Sequence, residues 1–201
     1  MNKIRMIALA SCMAATLDAS AQEQEIRLFS HRGGRMEHDE NTFSAFQASY
    51  DAGYRGFETD IRMTRDGALV ITHDSSLERT TDGTGTVEEK TEAEIRQLAT
   101  KQGNKMMFLD ELLEFLEGKE GLYVEFEMKT KPEALYPEER LHAYCDKLYD
   151  AVMAVKPADA TFVFTSGDYR GLRYLQAKHP GVDLLLITSK PCNDETIDLC
   201  K

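Results

Sequence analysis

Residues 56–74, GFETDIRMTRDGALVITHD, decide the fold, because they combine two strand-like runs, a tight turn and three chemically active side chains. Glu58 and Asp60 lie two positions apart in the first run, so a β-strand would direct both carboxylates to the same face. The Asp-Gly pair at 66–67 predicts a hairpin turn, and the second run ends in His73. A connection this short can join only antiparallel strands. We therefore expect His73 to return beside the two carboxylates, within one register step.

The overall composition indicates one acidic domain. The chain has 201 residues, of which 42% are hydrophobic and 29% charged, and its formal net charge is −11. This length supports one sizeable hydrophobic core. So acidic a protein is a poor candidate for binding nucleic acid or anionic membranes through their phosphates. We expect a small-molecule partner and no nucleic acid, and the composition leaves the oligomeric state open.

The first 21 residues are typical of an export signal. Lys3 and Arg5 precede an apolar run, and Ala-Ser-Ala at 19–21 matches a cleavage site. The run is too short to span a bilayer, and no other segment approaches the ~20 apolar residues required. We expect an exported domain over residues 22–201, either periplasmic or secreted. An alternative is a lipoprotein anchored through Cys12, because the residues that precede it resemble a lipobox.

Three further cysteines show no pattern of a disulfide scaffold. Cys192 and Cys200 could pair, but their spacing does not require it. Buried thiols are the simpler interpretation, and it extends to Cys145.

Strand-like and helix-like segments alternate along the chain, which predicts an α/β fold with a parallel sheet. Polar residues cluster where the predicted strands end, at positions 31–32, 58–60, 127–129 and 166. In a TIM-type (β/α)8 barrel the catalytic residues come from these strand ends. A doubly wound sheet concentrates its ligands at one switch point instead. Contributions from several strand ends therefore favour the barrel.

Five barrel strands are predicted, near residues 28, 58, 125, 163 and 185, with the hairpin strand outside the barrel. A complete barrel has eight strands. The expected fold is thus the first five barrel strands plus an antiparallel hairpin after strand 2, in a domain that is incomplete at its C-terminal end. Open edges of such a sheet would expose apolar surface.

Glu58, Asp60 and Glu127 offer three carboxylate ligands from two strand ends. Hard oxygen ligands suit Ca²⁺ or Mg²⁺, whereas zinc usually recruits imidazole or thiolate. A single carboxylate at a strand end is more often an ordinary solvated charge. The pair facing His73 favours a functional site, which would hold one divalent cation.

His31 and His73 are the histidines that fall in strand-end loops. Two imidazoles beside a metal-bound phosphate could divide proton transfer, one accepting a proton and the other donating one. Arg32 could contact the phosphate through two donors, and Lys129 would add a point charge. An ion pair with a neighbouring glutamate is a structural role for Lys129, and it is compatible with phosphate binding. We predict structural roles for the remaining histidines, His38, His142 and His179.

Seven motifs in this order resemble the glycerophosphodiester phosphodiesterases, which are related to phosphatidylinositol-specific phospholipase C. They are HRGG at 31–34, ENT at 40–42, ETD at 58–60, TRDG at 64–67, HD at 73–74, LERTTDGTG at 77–85 and E-x-K at 127–129. The resemblance is strong over residues 28–130. It implies a TIM-type barrel and metal-assisted hydrolysis of glycerophosphodiesters to glycerol 3-phosphate and an alcohol, by way of a cyclic phosphate.

Motif position also implies a role for each site residue. His31 and His73 would be the general acid and base. The metal ligands would be Glu58, Asp60 and Glu127, and the phosphate would be held by Arg32 and Lys129.

Two features depart from the family pattern. Asp39 stands where the family usually has a proline, and the last three barrel strands have no counterpart before Lys201. Two alternative functions therefore stay open. One is a related phosphodiesterase, a lyase that stops at a cyclic phosphate, and the other is a non-catalytic binder of a metal or a phosphate ligand.

Overall fold

A computed structural model describes residues 28–191, 193, 194 and 196. The predicted signal at 1–21, the Cys12 anchor and the Cys192–Cys200 pair lie outside these residues. Most of the predicted last helix, over 193–200, also lies outside them. The export signal and the last helix stay predictions, the Cys12 anchor stays an alternative to the signal, and the pairing of Cys192 with Cys200 stays open.

The centre of the described part is one six-stranded sheet. In chain order its strands are β1 (Phe29–His31), β2 (Gly56–Met63), β3 (Leu69–Ile71), β4 (Tyr123–Met128), β5 (Thr161–Ser166) and β6 (Leu184–Leu186). The order β1-β2-β4-β5-β6 is parallel at every step, and β3 pairs antiparallel with β2 alone. The five predicted barrel strands and the hairpin outside the barrel are therefore confirmed. The fold is α/β and forms part of a TIM-type barrel.

In the described part of the chain, five α-helices lie between or beside these strands. They are α1 (Phe43–Asp51), α2 (Glu92–Ile95), α3 (Leu109–Leu116), α4 (Glu138–Val155) and α5 (Tyr169–Lys178). Thr42 caps α1 by accepting a hydrogen bond from the Ala45 N–H, as its sequence position predicts. Among the residues described, no helix combines the length and the apolar character needed to cross a bilayer.

The sequence predicts Asp110 as the N-cap of α3, and this prediction is wrong. Asp110 lies inside the first turn, and Phe108 is the N-cap. Phe108 has no polar side chain, so the Glu111 carboxylate accepts its backbone N–H at 2.7 Å instead. A glutamate in the first turn also suits the positive end of the helix dipole.

Two hydrophobic cores support the sheet. The larger core packs the helices against the strands, and Phe46, Phe57, Phe126, Tyr144 and Leu148 are fully buried in it. The smaller core lies beneath the segment 77–89, where Leu77 and Val87 pack with Val70, Ile95, Met106 and Phe108. The sequence predicts only a polar loop for 77–89. Burying these two side chains stabilises the segment by about 1.5–3 kcal/mol each, which holds it against the hairpin.

A buried ion pair ties this segment to β2. Arg62 donates to Glu88 at 2.8 Å, and both side chains are nearly fully buried. Tyr136 donates its hydroxyl hydrogen to the same carboxylate at 3.1 Å and accepts the Met63 N–H at 3.0 Å. Arg62 also donates to the carbonyl of His73 at 2.9 Å. The network therefore fixes the backbone of a predicted site residue.

Glu88→Ala is expected to destabilise the fold by about 3–5 kcal/mol, because it leaves the buried Arg62 guanidinium without its counter-charge. Urea unfolding followed by circular dichroism measures the change. Glu120→Ala is the matched control, because Glu120 is exposed, and it should shift stability by no more than about 0.5 kcal/mol. Equal midpoints for the two variants would show that the network does not stabilise the fold.

Candidate active site

The strand register places the predicted site residues at one edge of the sheet. His31, the last residue of β1, is paired with Glu58, and Asp60 is paired with Glu127 of β4. Because the pleat directs alternate residues to one face, Glu58 and Asp60 project together. β2 continues past this edge into the hairpin, so β3 forms a wall beside the site.

Glu58, Asp60 and Glu127 form a compact acidic cluster. One carboxylate oxygen from each lies within 4.8 Å of the other two. Asp60 is completely buried and Glu58 is 8% exposed. Glu58 Oε1 and Asp60 Oδ1 accept no hydrogen bond, although Lys129 Nζ lies 3.5 Å from the latter. Buried carboxylate oxygens are rarely left in this state without a cation or a proton.

Burial raises the pKa of Glu58 to about 8, and the neighbouring charge of Asp60 adds to the effect. The backbone N–H of Arg32 opposes it by donating to Glu58 Oε2 at 3.0 Å. In the absence of a cation, the cluster therefore holds a proton at neutral pH. Carboxylates forced together in this way are well suited to hard divalent cations.

The loop after β1 has a strained backbone. Arg32 has φ 54° and Asn41 has φ 59°, in the left-handed region that non-glycine residues seldom adopt. Gly33 follows at φ 75°, and a Cβ there would lie 3.0 Å from the Cβ of Ala45. The paired glycines at 33–34 predict a sharp turn, which is present and directs the Arg32 N–H to Glu58.

Asn41 is a site residue that the sequence reasoning missed. Its position predicts Asn41 or Thr42 as the cap of α1, and Thr42 fills that role. Its amide nitrogen donates to Asp60 Oδ2 at 2.9 Å, and its backbone N–H donates to the Arg32 carbonyl at 2.9 Å. The ENT motif that contains Asn41 was the one sequence feature that could have indicated its role in the site.

The hairpin register agrees with the expectation for His73. The Thr72 N–H donates to the Asp60 carbonyl at 2.9 Å, so His73 follows directly beyond the paired part of β3. His73 Nδ1 lies 2.6 Å from Asp74 Oδ1. Because an ionised carboxylate can only accept, Nδ1 carries the hydrogen and Nε2 is left to exchange a proton.

His31 lies beside Glu58 at the end of β1. Its Nε2 is 3.5 Å from Glu58 Oε2, and its side chain is half exposed. Burial lowers the pKa of His31, and the positive charges of Arg32 and Arg35 lower it further. The imidazole is therefore neutral at neutral pH and able to accept a proton.

The two predicted phosphate contacts lie against the carboxylates. Lys129 Nζ is 2.8 Å from Glu127, which is the ion pair proposed as its structural role. Arg32 places Nε 3.3 Å from Asp60 and an η nitrogen 3.2 Å from Glu40. The Arg32 and Lys129 side chains thus both border the acidic cluster, and each carries several hydrogen-bond donors.

The structural roles predicted for His142, His179 and Cys145 agree with the contacts that these side chains make. His142 stacks on Tyr174 with ring centroids 3.9 Å apart, and His179 stacks on Tyr149 at 3.5 Å. Cys145 is a buried free thiol, and burial raises its pKa to about 12.

The fold is α/β with a parallel sheet, and carboxylate, imidazole and guanidinium groups lie at the carboxyl ends of its strands. These features define the class as a TIM-barrel protein with a candidate hydrolytic site. Comparison with known proteins gives the family. Residues 31–198 match the model of the glycerophosphoryl diester phosphodiesterase family, and the chain belongs to this family.

Individual relatives agree with the assignment. A glycerophosphodiester phosphodiesterase of Caldanaerobacter subterraneus is 36% identical over 123 residues, which are 57% of this chain and 50% of that protein. The crystal structure of a glycerophosphodiester phosphodiesterase from Agrobacterium tumefaciens has a TM-score of 0.65 at 28% identity, covering 80% of this chain and 66% of that one. The chain spans about half the length of the curated relative.

A third relative supports the fold alone. It is an Oleispira antarctica phosphodiesterase, whose structure was solved in complex with the product sn-glycerol-3-phosphate. Its TM-score is 0.75 at 24% identity, and the match covers 87% of this chain and 72% of that one.

Proposed function

We propose that this chain hydrolyses glycerophosphodiesters to glycerol 3-phosphate and an alcohol, with one divalent cation, Ca²⁺ or Mg²⁺, as cofactor. The observation that carries the proposal is the cluster of Glu58, Asp60 and Glu127. His31 lies beside Glu58, and His73 directly follows Thr72, whose N–H donates to the Asp60 carbonyl. Family membership supports the substrate class, and the product in the Oleispira antarctica complex is the one expected here.

The donor set fits a hard cation. Three carboxylates converge, and two of their buried oxygens accept no hydrogen bond. Glu58, Asp60 and Glu127 would hold the ion. When bound, it would lower the pKa of a coordinated hydroxyl and offset charge on the phosphoryl oxygens.

Proton transfer is assigned to the two histidines. His31 is neutral at neutral pH, so it would accept the proton of the glycerol hydroxyl next to the phosphate as that hydroxyl attacks phosphorus. His73 is oriented by Asp74 and would donate a proton to the departing alcohol. In the second half of the reaction, water opens the cyclic phosphate and the two histidines exchange roles.

Arg32 and Lys129 would hold the phosphate. Both already border the acidic cluster, so a phosphate bound between these two side chains would meet positive charge on more than one side. As negative charge accumulates on the phosphoryl oxygens, this arrangement would stabilise the transition state more than the substrate.

The test is a metal-replete assay on glycerophosphocholine and glycerophosphoethanolamine, followed by phosphorus NMR. Appearance of glycerol 3-phosphate supports the proposal. A cyclic phosphate that persists would indicate the related lyase. Absence of turnover with intact Ca²⁺ binding would instead indicate a non-catalytic binder.

Cation binding should be strongly pH dependent because of Glu58. Its raised pKa means that the metal-free folded protein binds a proton that the unfolded chain releases near pH 4.5. The stabilising contribution is present below that pH and is lost as the pH rises to about 8. We therefore expect the Tm in EDTA to fall across this range, and the increase produced by Ca²⁺ to grow.

Differential scanning fluorimetry with EDTA or Ca²⁺ measures this behaviour. Glu58→Gln is the control, because it cannot titrate and should flatten both trends. A Ca²⁺ effect that is equal at pH 5 and pH 8 would rule out competition between the proton and the cation.

A further inference from the structure

The LERTTDGTG motif has no role in the chemistry described so far, yet its arginine contacts two loops of the site. Arg79 donates from its two η nitrogens to Glu40, at 3.0 and 2.7 Å. Its Nε donates to Asp74. One guanidinium therefore joins the loop after β1 to the loop after β3.

Each carboxylate that Arg79 holds also contacts a residue of the site. Asp74 uses its second oxygen to accept from His73 Nδ1 at 2.6 Å. Glu40 accepts from Arg32 at 3.2 Å, and Arg32 continues the chain of contacts to Asp60 at 3.3 Å. Successive contacts therefore connect the His73 imidazole to Asp60 of the acidic cluster, by way of Asp74, Arg79, Glu40 and Arg32.

We propose that Arg79 is a positioning residue that holds His73 in register with the cation site, acting through Asp74 and Glu40. The proposal rests on the proposed function, because it assigns Arg79 a part in the same reaction. Arg79 touches neither the carboxylate cluster nor a histidine in the described contacts.

The geometry is specific to a guanidinium. A planar fork can satisfy Glu40 with two parallel bonds while Nε serves Asp74, whereas a lysine ammonium acts as a single point donor. Both oxygens of the Asp74 carboxylate thereby accept a hydrogen bond, one from Arg79 and the other from His73. Burial raises its pKa, but the hydrogen bonds from Arg79 and His73 lower it to about 2. Asp74 thus remains an acceptor for Nδ1 across the working pH range.

Kinetics provide the first test. Arg79→Ala should lower kcat on glycerophosphocholine by about 10- to 100-fold, the range typical of residues that orient active-site groups. The Arg79 side chain is 48% exposed, so added guanidinium ion should enter the vacated space and restore part of kcat. Arg79→Lys should retain only part of the activity. Arg96→Ala is the matched control, because Arg96 is also a surface arginine paired with several carboxylates, and it should leave kcat unchanged.

Nitrogen-15 NMR of the His73 imidazole provides a second test that does not depend on turnover. At a pH where the ring is neutral, the wild-type protein should show the Nδ1–H tautomer. Arg79→Ala should shift the population towards Nε2–H, because Asp74 is then free to rotate. If Arg79→Ala does not fold, Arg79→Lys should show a smaller shift in the same direction.

The outcomes separate this inference from the proposed function. If the wild-type chain has no turnover, the proposed function fails and the His73 tautomer still tests the positioning. A kcat within twofold of wild type with an unchanged tautomer would overturn the role of Arg79. So would a lower kcat that guanidinium cannot rescue, with His73 unaffected.

Discussion

His31→Ala and His73→Ala should each lower kcat for glycerophosphodiester hydrolysis by about 10²- to 10⁴-fold, the usual contribution of a general acid or base. Cation binding should persist in both variants, because the carboxylate cluster is unchanged. Steady-state assays on glycerophosphocholine measure the first effect, and isothermal titration with Ca²⁺ measures the second. The two losses should not add fully in the double variant, since both groups serve one proton-transfer cycle.

His142→Ala is the control for these substitutions. Its ring stacks on Tyr174, away from the site, so kcat should stay at the wild-type value. Wild-type turnover in both His31→Ala and His73→Ala would contradict the two-histidine assignment. Loss of Ca²⁺ binding in either variant would indicate that the histidine belongs to the cation site instead.

Glu127→Gln should weaken cation binding by more than about 100-fold, beyond the 10- to 100-fold typical of residues one shell away from a metal. The substitution keeps the side-chain volume but removes one of three clustered carboxylates. It also removes the negative charge 2.8 Å from Lys129 Nζ, so the net positive charge beside the site increases. Activity should fall in parallel and recover partly at high Ca²⁺. Titration of kcat against Ca²⁺ concentration measures both effects.

Glu125→Gln offers a closely matched control on the same strand. Glu125 lies two residues earlier on β4 and is likewise half-buried, but it is not part of the acidic cluster. Its replacement should change the apparent Ca²⁺ affinity by less than a few fold. If the two glutamine variants behave alike, the effect of Glu127→Gln is one of general charge and not of coordination.

Much of the fold could be predicted because the turn and strand preferences of short segments agree with the structure that these segments adopt. The short Asp-Gly turn permits only an antiparallel return, and the structure contains that hairpin. Each parallel strand was recognisable as a short apolar run followed by polar residues. The Phe108 cap was not predictable, because its stabilising group is the side chain of Glu111 and not its own. Cap preferences describe the capping residue alone.

The sequence predicts the residues of the candidate site, but it does not predict the residues that hydrogen-bond to them and hold them in place. Glu58, Asp60 and His73 come from one continuous segment, so strand alternation places them together. Asn41 contacts Asp60, and Arg79 contacts Glu40, in pairs that lie 19 and 39 positions apart in the sequence. No periodicity reports such pairs, and the motifs that contain them were the available hint. The sequence likewise predicts a polar loop for segment 77–89, because Leu77 and Val87 are its two hydrophobic residues.

The left-handed backbone at Arg32 has a consequence for protein engineering. Holding a non-glycine residue at φ 54° costs on the order of 1–3 kcal/mol, and a glycine there would avoid the cost. Glycine would keep the backbone N–H that reaches Glu58 but would remove the guanidinium beside Asp60. Relief of the backbone strain and loss of the buried ion pairs therefore oppose one another in the stability of Arg32→Gly, because the substitution leaves buried Asp60 without this counter-charge. Turnover has no such balance, since the glycine variant lacks the guanidinium that would hold the phosphate, so variants at residue 32 are better screened by activity than by heat.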